Sequence, residues 1–350
     1  MRQRERIDDD ERHRWEEPGV YDVMPGLYRV PLPLPQDGLR AVNVYVLEGD
    51  DGLTLVDAGW ALDVSRAQLG DALAELSYSV ADVRSILVTH VHRDHYTQGV
   101  ALRRESGCVL RLGEGERPSL ENLNNGLHLN GEGHLARLSR HGGEDLVAEL
   151  RSASSGPSTD PTLWELPDEW VTSGREFRVG GLGLRALHTP GHTQGHLTYV
   201  VPSHETVFTG DHVLPHITPS IGFENQGGAL PLRDYLESLA LMRGLPDSMM
   251  LPAHGPVRSS VHARVGELLA HHEERLDACV ALLDGKPCTA FQVAQELGWT
   301  RRNRRFDDLD AGNRMLAVCE TAAHLDVLEL RGRCVRTDDD GTIRYHLDDP

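Results

Sequence analysis

Lysine is almost missing from this 350-residue chain: Lys286 stands alone against 34 arginines. We read that bias as base composition more than function. Net positive charge is missing too. The formal net charge is -19, so the chain as a whole is repelled by phosphate backbones and anionic membranes, which argues against a general nucleic-acid binder. Cysteine is sparse. Cys108, Cys279, Cys288, Cys319 and Cys334 are scattered, odd in number and never spaced C-x-x-C. This speaks against a disulfide framework or a cysteine zinc site, and for reduced thiols in a cytoplasmic protein. No window approaches about 18 uninterrupted apolar residues, so no membrane span is expected. The charged N-terminus MRQRERIDDDERHRWEEPG lacks the apolar core of a signal peptide. Neither a G-x-S-x-G elbow nor a P-loop is found.

What remains is the composition of a soluble globular protein, with 39% hydrophobic and 25% charged residues, at a length that suits one large and one small domain. We divide it into a disordered, solvated tail at 1–19, a main domain at 20–258, a connecting helix at 259–285 and a small unit at 286–350. In the main domain, 41–47 (AVNVYVL) and 53–57 (LTLVD) are β-type runs joined by Gly49-Asp50-Asp51-Gly52. Helical spacing follows at 61–77, then the short buried strand Ile86-Leu87-Val88, ending at His90. That order implies α/β layers. Residues 113–170 read as an insertion, part helix near 143–151 and part loop, of the kind that forms lids. His128, His134 and His141 in it read as solvated loop histidines.

Strand signals resume in REFRVGGLGLRALHTP, LTYVV, TVFTGD and SMMLPAH. Each ends at a turn with a polar candidate, so distant residues face one sheet edge. After Pro256 the period is helical, with His271 and His272 expected on a solvated face. Helix (TAFQVAQELGW), loop (TRRNRRFDDLD), helix (GNRMLAVCETAAHLDVL) and a strand pair (LELRGRCVRT and TIRYHL) turning at Asp340-Gly341 then suggest a small α+β winged-helix-like module.

The chemistry is concentrated in SILVTHVHRDHYTQGV. His90, His92, Asp94 and His95 form H-x-H-x-D-H directly after an apolar run, and neutral imidazole with carboxylate is the donor set of Zn²⁺ and similar ions. Four further segments accompany it: Val56-Asp57-Ala58-Gly59, Thr189-Pro190-Gly191-His192-Thr193-Gln194-Gly195-His196, Thr209-Gly210-Asp211-His212 and Pro252-Ala253-His254-Gly255. Together they resemble the five signature segments of the metallo-β-lactamase superfamily, in the same order, over about residues 25–258. The resemblance implies an αββα sandwich with two divalent ions at one edge, zinc first, with iron or manganese as alternatives. It places His90, His92 and His192 on one ion and Asp94, His95 and His254 on the other, with Asp211 bridging. Asp94 and Asp211 are then the catalytic carboxylates. A hydroxide held by such ions is a nucleophile at neutral pH.

By the same resemblance Asp57 orients a ligand histidine through its other ring nitrogen; a capping aspartate is the plainer alternative. His196 and His212 read as structural or supporting residues. His92 stands where flavin-linked di-iron relatives carry an acid, which weakens that reading. Tyr96-Thr97-Gln98-Gly99 replaces the small residue and Gly-Gly common in the family, so Tyr96 is a candidate for the substrate pocket, with a packed tyrosine as its alternative.

GDHVLPHITPSIGF and LRDYLESLALM resemble the glyoxalase II-like group that carries a C-terminal winged-helix-like module. The expected function is hydrolysis of a small acyl substrate, a thioester, ester or lactone. The alternative is a phosphodiesterase or endoribonuclease, for which Arg301, Arg302, Arg304 and Arg305 speak. Asp307, Asp308 and Asp310 follow at once, however, and residues 284–350 carry 10 basic and 13 acidic side chains. A DNA-binding regulator is a third reading. For the module itself we favour packing, closing one side of the active site or forming a dimer contact; a homo-oligomer stays open.

Overall fold

A computed structural model of the chain describes residues 2–9, 11, 13–35, 38–125, 132–152, 160–224, 230–283, 285–300 and 303–348. In chain order the elements begin with β1 (Gln3–Arg4), β2 (Tyr21–Met24), β3 (Leu27–Pro33), β4 (Ala41–Gly49), β5 (Gly52–Val56), α1 (Asp63–Glu75), β6 (Val83–Leu87), α2 (Arg93–Ser106) and β7 (Val109–Gly113). Three helices follow, α3 (Arg117–Asn124), α4 (Glu132–Arg140) and α5 (Glu144–Ser152), then β8 (Glu169–Val171), β9 (Glu176–Val179), β10 (Leu182–His188), β11 (Leu197–Val201), β12 (Thr206–Gly210), α6 (Pro231–Gly244) and β13 (Met249–Pro252). The chain continues through α7 (Val261–Leu282), α8 (Ala290–Glu296), α9 (Ala311–Leu330) and the hairpin β14 (Val335–Asp339) and β15 (Thr342–His346).

The eight strands β1 to β8 form one sheet in sequence order, and β13-β12-β11-β10-β9 form a second. Period-two alternation explains why they stack. Val44 and Val46 face the outer layer of α1 and α2, while Tyr45 and Leu47 meet Phe208, Leu184 and Tyr199 between the sheets. The outer face of the second sheet, with Val200 and Val207, is covered by α6 and α7. The result is the expected αββα sandwich. Parallel pairing of β5 to β6 and of β12 to β13 brings the C-terminal ends of four strands to one edge, and the loops after them build the site.

Four expectations are corrected. The described part of the first 19 residues is not a loose tail. β1 pairs parallel with β2, and Glu5 binds the guanidinium of Arg29, Nε to Oε2 at 2.6 Å. Arg29 is 1% exposed in an otherwise apolar strand, and an isolated buried charge there is untenable; the N-terminal segment brings the missing carboxylate. His272 is buried, because α7 is covered by both α6 and α9, and its Nδ1 lies 3.1 Å from His324 Nε2. His141 is buried where α4 ends against α8, with burial and nearby arginines pushing it down to about 3. His134 binds the Phe223 carbonyl and stacks on its ring, while His128 lies outside the described residues. The last helix also runs through Leu330 into the stretch read as strand. The helix, helix and hairpin of 286–350 share one core with α6 and α7.

Candidate metal centre

β6 is followed by Thr89, His90 and Val91, and His92 caps α2 with extended backbone (φ −63°, ψ 152°). Asp94 lies in the first turn of that helix, where the positive end of the dipole favours a carboxylate. His95 is one residue further, buried. Asp57 directly follows β5 and adopts the left-handed conformation at φ 59°, a region Asp and Asn tolerate better than most residues. Its carboxylate accepts the Thr89 amide at 2.8 Å and faces His95 Nδ1 at 2.9 Å. His254 Nδ1 donates to the Ala41 carbonyl at 2.7 Å and His192 Nδ1 to the Ser220 carbonyl at 2.9 Å.

With the outer nitrogens committed, the inner atoms converge in two groups. His92 Nδ1 lies 2.9 Å from His90 Nε2 and 3.0 Å from His192 Nε2. Asp94 Oδ2 lies 3.6 Å from His95 Nε2 and 3.4 Å from His254 Nε2. Asp211 belongs to both: Oδ2 is 3.5 Å from His192, while Oδ1 is 3.3 Å from His254 and 3.7 Å from His95. Within each set, His90, His92, His192, Asp211 and Asp94, His95, His254, every donor atom is within 4.8 Å of the others.

This donor set fits cations. His95 Nε2, His254 Nε2 and Asp211 Oδ1 are buried without a hydrogen-bond partner, a costly state for a polar atom unless something binds it. His90 Nδ1 faces the Thr89 hydroxyl, which donates to Asp57, so the His90 lone pair points at His92. Electrostatics agree. Burial and the His192 ring push His92 down to about 3. On the other side burial opposes charge, yet Asp57, Asp94 and Asp211 hold His95 up to about 10. Neutral imidazoles beside a carboxylate-rich partner make a cavity that draws positive charge. The paired His/Asp clusters fit a metal site.

Support comes from His196, expected in that role, and from groups the sequence did not reveal. His196 Nε2 accepts the Asp211 amide at 3.1 Å, so it holds the bridging position from behind. A Cβ at Gly210 (φ 52°) would stand 2.6 Å from that nitrogen, which requires glycine. Asn43 accepts from Arg29 and donates to the Pro252 and Gly255 carbonyls at 2.9 Å, linking the N-terminal ion pair to the His254 loop. Ser220, which receives His192, lies on a loop resting on α9. There Gly222 (φ 82°) has no room for a Cβ, the Cys319 carbonyl being 2.9 Å from its place. Backbone acceptors of this kind leave no mark in residue type. Tyr96 is not a pocket residue: it is fully buried, its hydroxyl donates to the Glu165 carbonyl at 2.6 Å, and its ring stacks on Trp164. Facing away from the cluster on α2, it anchors the end of the insertion. Arg301 and Arg302 lie outside the described residues; Arg305 is exposed, 3.9 Å from Asp307.

Comparison with known proteins agrees with this architecture. Residues 37–254 match the Metallo-beta-lactamase superfamily, and residues 276–348 match the family described as Metallo-beta-lactamase-like, C-terminal domain. A Bacillus subtilis protein named "Probable metallo-hydrolase YqjP" is 26% identical over 318 residues, spanning 86% of this chain and 91% of its own length. An Aspergillus fumigatus protein named "Atrochrysone carboxyl ACP thioesterase" is 26% identical over 254 residues; 71% of this chain is covered, but only 46% of that longer protein. The crystal structure of a metallo-beta-lactamase family protein from Thermus thermophilus has a TM-score of 0.76 at 29% identity, covering 93% of this chain and 100% of that one. A beta-lactamase domain protein from Burkholderia ambifaria gives a TM-score of 0.78 at 26% identity, covering 94% of each chain. The match extends over more than half of the sequence and includes the segments that carry both donor sets, so the chain is a metal-dependent hydrolase belonging to the metallo-beta-lactamase superfamily.

Proposed function

We propose that the chain hydrolyses a small acyl substrate, a thioester, ester or lactone, with two divalent cations, zinc in the first place. His90, His92 and His192 would hold one ion, Asp94, His95 and His254 the other, with Asp211 between them. The carrying observation is that Asp211 turns one oxygen to each donor set. When bound, such a pair of ions lowers the pKa of water to near neutrality and polarises a carbonyl oxygen.

The protein's share is orientation. Asp57, Ser220 and Ala41 fix three imidazoles with Nε2 inward, so no side-chain reorganisation is needed when charge develops. His196 fixes the backbone at Asp211. Asp94 and Asp211 stay ionised at neutral pH: burial opposes this, but the surrounding histidines hold both carboxyls below the usual range. As the catalytic carboxylates of this reading, both would serve as ionised donors that set the charge and position of the cations. The relative named as an ACP thioesterase supports acyl chemistry. We read 286–350 as winged-helix-like and glyoxalase II-like in company, serving as a wall beneath the His192 loop, with neither nucleic acid nor membrane as partner. Five buried cysteines, all unpaired, favour a cytoplasmic setting.

Metal analysis, with turnover of an acyl-thioester and lactone panel beside bis(p-nitrophenyl) phosphate and RNA, tests the reading. Two ions per chain are expected, with acyl turnover lost in His92→Ala and Asp211→Ala. RNA cleavage without acyl turnover would overturn it.

A further inference from the structure

Two carboxylates lie beneath the loop that carries His192, and the hydrolytic reading gives neither a task. Glu116, at the entry to α3, is fully buried, and Glu224 approaches from the loop that leads to α6. Glu116 accepts a hydrogen bond from the Thr193 hydroxyl, and the amides of Val91 and Gly195 face it. Glu224 accepts the Gln194 amide at 2.6 Å and the Ser119 hydroxyl. The pair therefore touches both ligand segments of one half of the centre: Val91 sits between His90 and His92, while Thr193 and Gln194 directly follow His192.

The backbone leaves little slack here. A Cβ on Gly195 would stand 2.1 Å from the Glu116 amide nitrogen, and one on Gly113 would stand 2.2 Å from the Gly195 carbonyl oxygen. Residues 113–116 and the turn at Gly195 are in backbone contact, and the Glu116 carboxyl fills what space is left. Its second oxygen, Oε2, is buried without a partner. Two buried acids side by side cannot both be charged at low cost. Burial and the Glu224 carboxylate raise Glu116 well above the usual carboxylate range, and burial raises Glu224. A neutral carboxyl is both donor and acceptor, so the pair keeps its hydrogen bonds without an isolated buried charge. A pair placed only to fill the core would be served as well by leucine. Here the hydrogen bonds of the pair go to segments next to a ligand or to Ser119 on α3, the insertion helix that Glu116 precedes.

We propose that Glu116 and Glu224 are positioning residues for the three-histidine half of the centre, acting through Thr193, Gln194 and the Val91 amide to fix how His90, His92 and His192 present their ring nitrogens to one cation. This rests on the two-cation reading above. It assigns the first turn of the insertion to holding the site, with its later residues free to shape the pocket.

The test uses the full chain, stripped of metal with a chelator and titrated with Co²⁺ and with Zn²⁺ while the Co²⁺ d–d spectrum is recorded. The wild type is expected to take up two equivalents. Glu116→Ala should weaken one equivalent by about 10–100-fold, the range for losing a group that orients a ligand, and alter its spectrum while the other equivalent is unchanged. Glu116→Gln, which keeps shape and hydrogen bonding, should restore both affinity and spectrum. Thr193→Val removes one hydroxyl from the same contact and decides the matter if Glu116→Ala fails to fold. Wild-type affinity and spectrum at both equivalents in Glu116→Ala and Thr193→Val, with only a lower melting temperature, would overturn the proposal. So would an equal loss at both equivalents. A wild-type chain that takes up no cation would instead overturn the two-cation reading itself, and the positioning role with it.

Discussion

A histidine offers a metal one nitrogen only if something else decides what the other one does. Asp57 makes that decision for His95, at 2.9 Å. Asp57→Ala should therefore lower cation affinity by about 10–100-fold, most strongly in the half built from Asp94, His95 and His254 and less at His90, which Asp57 reaches only through Thr89, as read by metal titration of the stripped protein. Tyr96→Phe belongs to the opposite category. It removes one hydrogen bond to the Glu165 carbonyl, should cost about 1 kcal/mol in urea unfolding, and should leave turnover unchanged. The donor residues that the fold brings together were legible in the sequence pattern, because His and Asp at strand ends are few and their order is informative. It could not carry the acceptors for His192 and His254, which are backbone carbonyls of Ser220 and Ala41. It also could not decide Tyr96, since the direction of a helical side chain depends on what the helix packs against.

At the scale of elements, the strands and long helices were legible from their periods, and β4, β5, α7 and α9 lie close to where those periods placed them. The N-terminal segment was not, because its charges resemble those of a solvated tail. The signal lay instead in β3, where Arg29 interrupts an apolar strand and needs a partner from elsewhere in the chain. Glu5→Gln tests this. It leaves the guanidinium buried without its carboxylate, which should destabilise the fold by about 3–5 kcal/mol, visible as a lower urea midpoint. Because Arg29 also donates to Asn43, which holds the Pro252 and Gly255 carbonyls, the same variant should weaken binding of the cation assigned to His254. The insertion was legible as an insertion, but Gly113-Glu114-Gly115-Glu116 read as a polar loop, since nothing local distinguishes a solvated glutamate from one that is buried on docking.

On the outer face of the second sheet, helices from α4 to α9 share one core, and this buries histidines whose helices would be half exposed in isolation. His324, held neutral by burial, is pushed down to about 3, and His141 likewise. Both would titrate near 6.5 in the unfolded chain. Below that pH the unfolded state binds more protons than the folded one. Stability is therefore complete above about pH 6.5 and is lost as pH falls toward 3, at a limit of about 1.4 kcal/mol per pH unit for each histidine. Glu116, held above its ordinary value of 4.5, acts in the opposite sense, so the informative quantity is a difference. His141→Leu should flatten the dependence of unfolding free energy on pH between 6.5 and 4 by one histidine's share, as measured by urea titrations across that range. The seating of Gly222 on α9 has a consequence in time as well as in space. The loop that orients His192 has its support at residues 319–323, which leave the ribosome well after every donor residue has been made. A nascent chain thus carries all seven donor side chains before it has the support that seats the His192 loop, and the full donor geometry waits for α9.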